Sequence, residues 1–274
     1  MMKYRVKNGK KGYLRNVMKK RNIFKRKIEE IFPSVFYEIN NLLEEEEVSI
    51  YKIAEVIKKD MSITTRLIRL ANTPFYGFPG RIGTVEDALI ILGLNVVKII
   101  FYTFCAVDVM NTYYSKLCKH CVKVGEVAGV IAENMGIEKP GEIYTAGILH
   151  DFGKMVIKIS VTGYEKVEAA TKKKKCAFWQ AEQEMLGVNH ADVVKDLFEE
   201  WRFPERIIEM VVYHHEPWKS KNFSIETSII HFSNAVVHAE GKIEKIREVP
   251  GFNESVFEII GGDIMEIVRE KFFK

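Results

Sequence analysis

Leu149-His150-Asp151-Phe152-Gly153-Lys154 sets an imidazole beside a carboxylate, followed by a glycine and a lysine. Histidine and carboxylate together are the usual ligands of borderline and harder divalent ions. Working outward, the chain has seven histidines, and six lie between positions 120 and 231: His120, His150, His190, His214, His215 and His231. On a helix the neighbours His150 and Asp151 diverge by about 100°. Both reach one ion only if it lies against the helix flank between them, and the same holds for His214-His215. Helical bundles build metal sites from side chains on facing helices. Spacing alone does not force these segments to meet.

The surrounding apolar pattern is helical almost throughout. Ile50, Ile53, Ala54 and Ile57 recur at that interval, as do Ile63, Leu67, Ile68 and Leu70, then Ala88, Leu89, Ile91 and Leu92. Ser62-x-x-Thr65 and Thr84-x-x-Asp87 place a capping hydroxyl ahead of such runs. Pro74, Gly77, Pro79, Gly80 and Gly83 mark one loop, and further breaks fall at Gly136 to Gly141 and at Gly163. A helix from Tyr113 to Met135 carries His120, and another through Leu197 and Trp201 has His190 at its mouth. No alternating Val, Ile and Thr run is framed by hairpin turns, and no fixed-period repeat is visible. The expected fold class is all-α, a helical bundle. Four blocks follow: a basic extension over 1–27, a histidine-free helical block over 28–110, a histidine-bearing block over 111–240, and C-terminal helices over 241–274.

Length and composition narrow the function class. The 274 residues are 47% apolar and 28% charged, the values of an ordinary globular protein. No apolar segment follows the N-terminal basic residues, so no signal peptide is expected. The longest apolar run, Val96 to Val109, is broken by Lys98 and Asp108 and is too short for a transmembrane segment. Four cysteines are too few for a disulfide framework, which points to reduced thiols and a cytoplasmic location. Cys118-x-x-Cys121 brackets His120, but no second pair exists to complete a structural zinc site. Residues 1–27 hold 12 of the 41 Lys and Arg and no acid, leaving 29 basic against 37 acidic residues in the remainder. This head reads either as a solvated extension or as a tether for nucleic acid or an anionic membrane. The run Lys172 to Lys175 reads as a solvated helix edge, and Trp179 and Trp201 as core anchors. Asn72 to Pro79, with Phe75, Tyr76 and Phe78, is a packed loop or a docking surface.

The order of a lone His, HDxGK, Gly-x-x-His and His-His-Glu resembles the HD-domain superfamily of metal phosphohydrolases, and His150 to Lys154 with His214-His215-Glu216 is similar to its HD-GYP branch. The first block makes the assignment closer. The run from Asp60 to Pro74 (DMSITTRLIRLANTP) and that from Ile82 to Gly93 (IGTVEDALIILG) resemble two successive signatures of the HDOD family, the HD-related output domain. Glu184 to Ala191 and Trp201 to Pro204 match its later ones.

The resemblance implies an N-terminal HDOD helical subdomain packed on an HD-like helical subdomain, and 28–240 is a single HDOD domain in that case. It implies bacterial signal transduction through a protein partner. It also implies metal ligands at His120, His150, Asp151, His190, His214 and His215, for one or two divalent ions such as Fe, Mn, Ni or Zn. An active centre would add Lys154 as a catalytic cation facing phosphate, and a cyclic dinucleotide or nucleotide as the phosphodiesterase substrate. Three positions and one missing signature depart from the pattern. Asn234 stands where the superfamily has a late Asp, Lys116 where the branch often has an acid, and Val194 where a Gly is typical. The glycine- and tyrosine-bearing signature after Glu216 is missing. An amide offers an ion only a neutral oxygen. Two readings therefore stand: a partner-binding regulator with a degenerate centre, with or without metal, and a metal-dependent phosphohydrolase. His231 and His238 match no family position and read as surface or satisfied core residues.

Overall fold

The structure is a computed structural model that describes residues 22–273, except 44, 46 and 74–79. Residues 1–21 of the basic extension and most of the Asn72–Pro79 loop lie outside the described residues. All described secondary structure is helical. The chain is helical over 22–31 (α1), then forms α2 (Ser34–Leu42), α3 (Ile50–Lys58), α4 (Met61–Ala71), α5 (Val85–Leu92) and the long α6 (Leu94–Asn134). There follow α7 (Pro140–Leu149), α8 (Phe152–Ser160), α9 (Glu165–Lys174), α10 (Phe178–Leu186), α11 (His190–Glu200) and α12 (Glu205–Val212). The last three helices are α13 (Ser224–His238), α14 (Val256–Ile260) and α15 (Gly262–Phe272).

The local signals explain most boundaries. Thr84 and Asp87 form the capping box of α5, each side chain accepting the other's backbone N–H at 3.0 Å. The cap of α4 differs from the reading above. Asp60, not Ser62, accepts from Ile63 N at 2.9 Å, because a carboxylate both satisfies the free amide and faces the positive end of the helix. Asn189 caps α11 by accepting from Asp192 N at 3.0 Å, which fixes where His190 enters that helix.

One contiguous apolar core runs from Phe24 to Val268 and is threaded by α6. That helix is long and apolar enough, by length and composition, to cross a membrane, but 56% of its most apolar window is buried inside the protein. Tyr114, at φ −152° and ψ 64°, breaks it into two helical stretches, so the segment carrying His120 starts a new direction. Phe36, Tyr102, Trp201 and Phe203 join the first block to α11, with Phe36 and Trp201 ring centroids 5.0 Å apart. Trp201 is a core anchor as expected, whereas Trp179 is only half-buried. α6 and α7 cross closely where Gly125 meets Gly147: a Cβ on Gly147 would lie 2.7 Å from Gly125 Cα. That crossing sets the His120 segment against the end of α7, where His150 follows.

Candidate metal centre

His150 and Asp151 occupy the short break between α7 and α8, so their side chains are not held to one helix's spacing. Asp151 is 1% exposed, and His150, His190 and His214 are fully buried. The four come together. His190 Nε2 and His214 Nε2 lie 3.2 and 3.7 Å from Asp151 Oδ1, while His150 Nε2 and His120 Nε2 lie 3.3 and 3.9 Å from Oδ2. His215 Nε2 is 2.9 Å from His190 Nε2. All six expected ligands thus converge. They form two sets sharing Asp151, one with His190, His214 and His215, the other with His120 and His150, and the ligand atoms within each set lie within 4.8 Å of one another.

Glycine in the HDxGK stretch has a steric reason. A Cβ on Gly153 would sit 2.1 Å from the carbonyl oxygen of His190, so only glycine lets α8 approach the start of α11. That approach carries His190 to Asp151.

The imidazoles are oriented as metal ligands are. His150 Nδ1–H donates to Gly147 O and His214 Nδ1–H to Val211 O, each at 2.7 Å, and His190 Nδ1–H donates to the Glu182 carboxylate. A carbonyl or carboxylate can only accept, so Nδ1 carries the proton and the Nε2 side faces Asp151. Such outer partners fix ring orientation and raise ligand basicity at metal sites. His150 Nε2, His214 Nε2 and Asp151 Oδ1 are buried and have no hydrogen-bond partner. Buried polar atoms are normally satisfied, and an ion is one way to satisfy these three. The residues fit a divalent cation of the nitrogen- and oxygen-liking kind.

Charge supports the same conclusion at His120, His214 and His215 and opposes it at His190. Burial pushes His214 and His215 well below the ordinary imidazole range, with neighbouring histidines adding to it, which keeps both neutral as ligands must be. Burial, with His150 alongside, pushes His120 down to about 3. His190 goes the other way: burial opposes its charge, but the Glu182 carboxylate outweighs it. Burial also opposes ionising Asp151, yet His150 and Lys154 beside it hold the carboxyl well below its usual range.

Three features were not expected from the sequence. Glu182 is fully buried, accepts from His190 N at 2.9 Å and from the Tyr164 hydroxyl, and so anchors the start of α11. A lone acid in a helix has no spacing that would have revealed it. Lys154 does not stand free to meet a phosphate, because its Nζ donates to Asp151 Oδ2 at 2.6 Å. Asn234 Oδ1 lies 3.0 Å from His120 Nε2, so the amide that replaces the late Asp occupies the edge of the centre. Lys116 is exposed on α6. His231 is a satisfied core residue, donating from Nδ1 to His214 O at 2.7 Å and accepting at Nε2 from Asn253 N at 3.0 Å. His238 packs on His120 with ring centroids 4.5 Å apart. Cys118 and Cys121 are buried, and neither belongs to the ligand sets found among the described residues.

Lys154, His215, Asn234 and His238 line a cleft of about 920 Å³, and His215 is the ligand candidate that it shares with the centre.

The HDOD domain family matches residues 30–217. An uncharacterized protein of Treponema pallidum (strain Nichols) is 24% identical over 219 residues, a match that takes in 75% of this chain and 41% of that protein. The chain therefore spans about two fifths of the length of that curated relative. Among solved structures, an HDOD domain protein of unknown function from Geobacter sulfurreducens aligns with a TM-score of 0.57 at 24% identity, over 93% of this chain and 94% of that one. A candidate phosphohydrolase from Shewanella amazonensis SB2B aligns with a TM-score of 0.61 at 18% identity, over 90% and 93%. A candidate metal-dependent phosphohydrolase from the same organism aligns at 0.54 and 12%, over 92% and 96%. At these identities the structural likeness is one of fold.

Proposed function

The chain belongs to the HDOD family, and from that premise we propose that it retains a divalent-metal centre of the phosphohydrolase type and uses it on a phosphate ester. The carrying observation is the convergence of His150 Nε2 and His214 Nε2, buried and unpartnered, on the shared carboxylate of Asp151.

Asp151 with His120 and His150 would hold one cation, and Asp151 with His190, His214 and His215 a second. A cation held there supplies Lewis acidity toward a phosphoryl oxygen and makes water acidic enough to ionise near neutral pH. The protein's own part is positional. Gly147 O, Val211 O and Glu182 lock the three buried rings, so no reorientation is needed on ligand arrival. Lys154 lines the cleft but is held on Asp151 Oδ2, so its charge offsets that carboxylate rather than a phosphoryl group. The test is hydrolysis of bis(p-nitrophenyl) phosphate by protein reconstituted with Mn(II), Fe(II), Ni(II) or Zn(II). Turnover lost in His214→Ala supports the reading, and metal-loaded protein without turnover of mono- or diesters overturns it.

A second reading has its own support. Lys154 already neutralises Asp151, Asn234 brings no charge, and α3, α4 and α5 expose Tyr51, Met61 and Ile90 at 70, 82 and 64%. On this reading the protein is a cytoplasmic signalling component that docks a protein partner through its first block, with the metal centre as a scaffold.

A further inference from the structure

We infer that the centre takes one divalent transition ion rather than two: the ion lies on Asp151 Oδ1 with His190, His214 and His215, and the Lys154 ammonium on Oδ2 takes the place of a second. The inference rests on the proposed function only for the presence of a metal. It goes beyond that reading in giving the ion one ligand set and closing the other.

The Oδ2 side is already engaged. Lys154 Nζ donates to Asp151 Oδ2 at 2.6 Å, and the same ammonium lies 5.1 Å from the centre of the Phe178 ring. Lys154 follows Asp151 by three residues and both are buried, so one short stretch of chain holds the pair. His120 is engaged too. Its Nε2 lies 3.0 Å from Asn234 Oδ1, and an amide oxygen only accepts, so that nitrogen carries the proton and has no lone pair for an ion. Asn234 stands where the superfamily pattern has an Asp, so the substitution that removes a charge also turns His120 into a donor. His150 Nε2 is the one donor of this set left without a partner. One imidazole beside a paired carboxylate is too few ligands for a divalent ion.

The Oδ1 side is arranged the other way. Asp151 Oδ1 and His214 Nε2 are buried with no hydrogen-bond partner. His190 Nε2 and His214 Nε2 lie 3.2 and 3.7 Å from Oδ1, and His215 Nε2 lies 2.9 Å from His190 Nε2. Donors about 2.1 Å from one ion lie roughly 3–3.5 Å apart at right to tetrahedral angles, so these separations are close to those of a single coordination sphere. The rings are held from behind: His214 by Val211 O, His190 by Glu182, and His215 by the Trp179 ring, stacked at 6.0 Å and 24°.

Charge decides between one ion and two. Asp151 and Glu182 are the buried carboxylates that touch the ligand histidines. One divalent ion with Lys154 sets three positive charges against these two negative ones, and two ions with Lys154 would set five. Uncompensated buried charge is costly, so a second ion must expel the ammonium or bear its repulsion. Lys154 is thereby a positioning residue: by holding Oδ2 it leaves Oδ1 to the three imidazoles.

The experiment titrates the chelator-treated whole chain with Mn(II). Electron paramagnetic resonance counts the free ion and reads the bound spectrum for spin coupling between neighbouring ions. The variants are His215→Ala, His120→Ala and the double Lys154→Met/Asn234→Asp, each checked by circular dichroism. Expected are one equivalent with an uncoupled spectrum in the wild type, and a loss of affinity at least about tenfold greater in His215→Ala than in His120→Ala. The double variant, with the ammonium gone and a carboxylate beside His120, should take two equivalents and show coupling. Two coupled equivalents in the wild type overturn the inference. So does a loss as great in His120→Ala as in His215→Ala, or a folded double variant that stays at one equivalent. If the double variant does not fold, the wild-type count and the two histidine variants decide alone. No uptake of Mn(II), Fe(II), Ni(II) or Zn(II) overturns the inference together with the proposed function. One bound equivalent without ester hydrolysis keeps the inference and removes the enzyme, whereas ester hydrolysis with two coupled ions does the reverse.

Discussion

Lys154 Nζ lies 2.6 Å from Asp151 Oδ2, the same oxygen that His150 and His120 face at 3.3 and 3.9 Å. A lysine three residues along the chain thus stands where a cation's charge would stand, and it competes with an ion for that oxygen. Lys154→Met removes the competitor. Metal affinity should rise by about tenfold, since an unscreened like charge near a buried ligand costs more than 1 kcal/mol. Chelated protein should lose about 3 kcal/mol of stability, because a buried carboxylate is left unpaired. Calorimetric metal titration and thermal melting check both halves. A variant equally stable with and without metal would contradict this role of Lys154.

Asn234→Asp should strengthen the weaker side of the centre. Asn234 Oδ1 already lies 3.0 Å from His120 Nε2, so a carboxylate there adds charge without moving backbone. A gain of about tenfold in metal affinity or in diester turnover is expected. A metal-loaded scaffold would gain affinity without turnover.

Glu182→Gln should lower metal affinity by roughly 10–100-fold, as loss of an outer partner of a ligating histidine does. The amide still fits beside Tyr164 and His190, so the circular dichroism of the folded protein should be unchanged. Retained affinity would show that Glu182 only packs.

Gly153→Ala should cost about 3 kcal/mol or more through overpacking, because its methyl would meet the His190 carbonyl at 2.1 Å. Metal uptake should fall with it, as α11 is pushed from Asp151. Denaturant unfolding and metal analysis of the same sample test the link.

Glu209 supplies a pH test away from the centre. Burial opposes its charge, but hydrogen bonds from Ser220 Oγ at 2.6 Å, Asn222 Nδ2 at 3.0 Å and Lys221 N at 3.1 Å outweigh it, and its pKa lies below the ordinary carboxylate value. With the folded pKa below the unfolded one, the stabilisation is present above the unfolded value and is lost as pH falls through the folded one. Melting temperature should therefore drop on acidification below about pH 4.5, and less steeply in Glu209→Gln, whose neutral-pH stability falls by about 1–3 kcal/mol. Parallel pH–melting curves for the two proteins would contradict the assignment.

Much of this was legible in the chain because the signals were local. Helical period gave the all-α class, and Thr84 with Asp87 marked a cap that the structure contains. The six candidate ligands were named by type and order, and their convergence depended on contacts that spacing does not encode. Glu182 was invisible because one acid in a helix looks solvated until the helix is packed. Asp60 took the cap read at Ser62, since two residues of offset leave the same apolar pattern. Lys172 to Lys175 read as a solvated edge. The structure does expose them, but Lys172 and Lys175 also line one cleft with Lys242 and Lys245, a relation between segments about seventy residues apart.

Metal content of the whole chain, purified without chelator and then reconstituted, reaches the central claim most directly. One to two equivalents of a transition ion are predicted, falling to background in an Asp151→Asn/His214→Ala double variant that still melts cooperatively. Wild-type protein that takes up no Mn, Fe, Ni or Zn, or a double variant that binds as much, would contradict it.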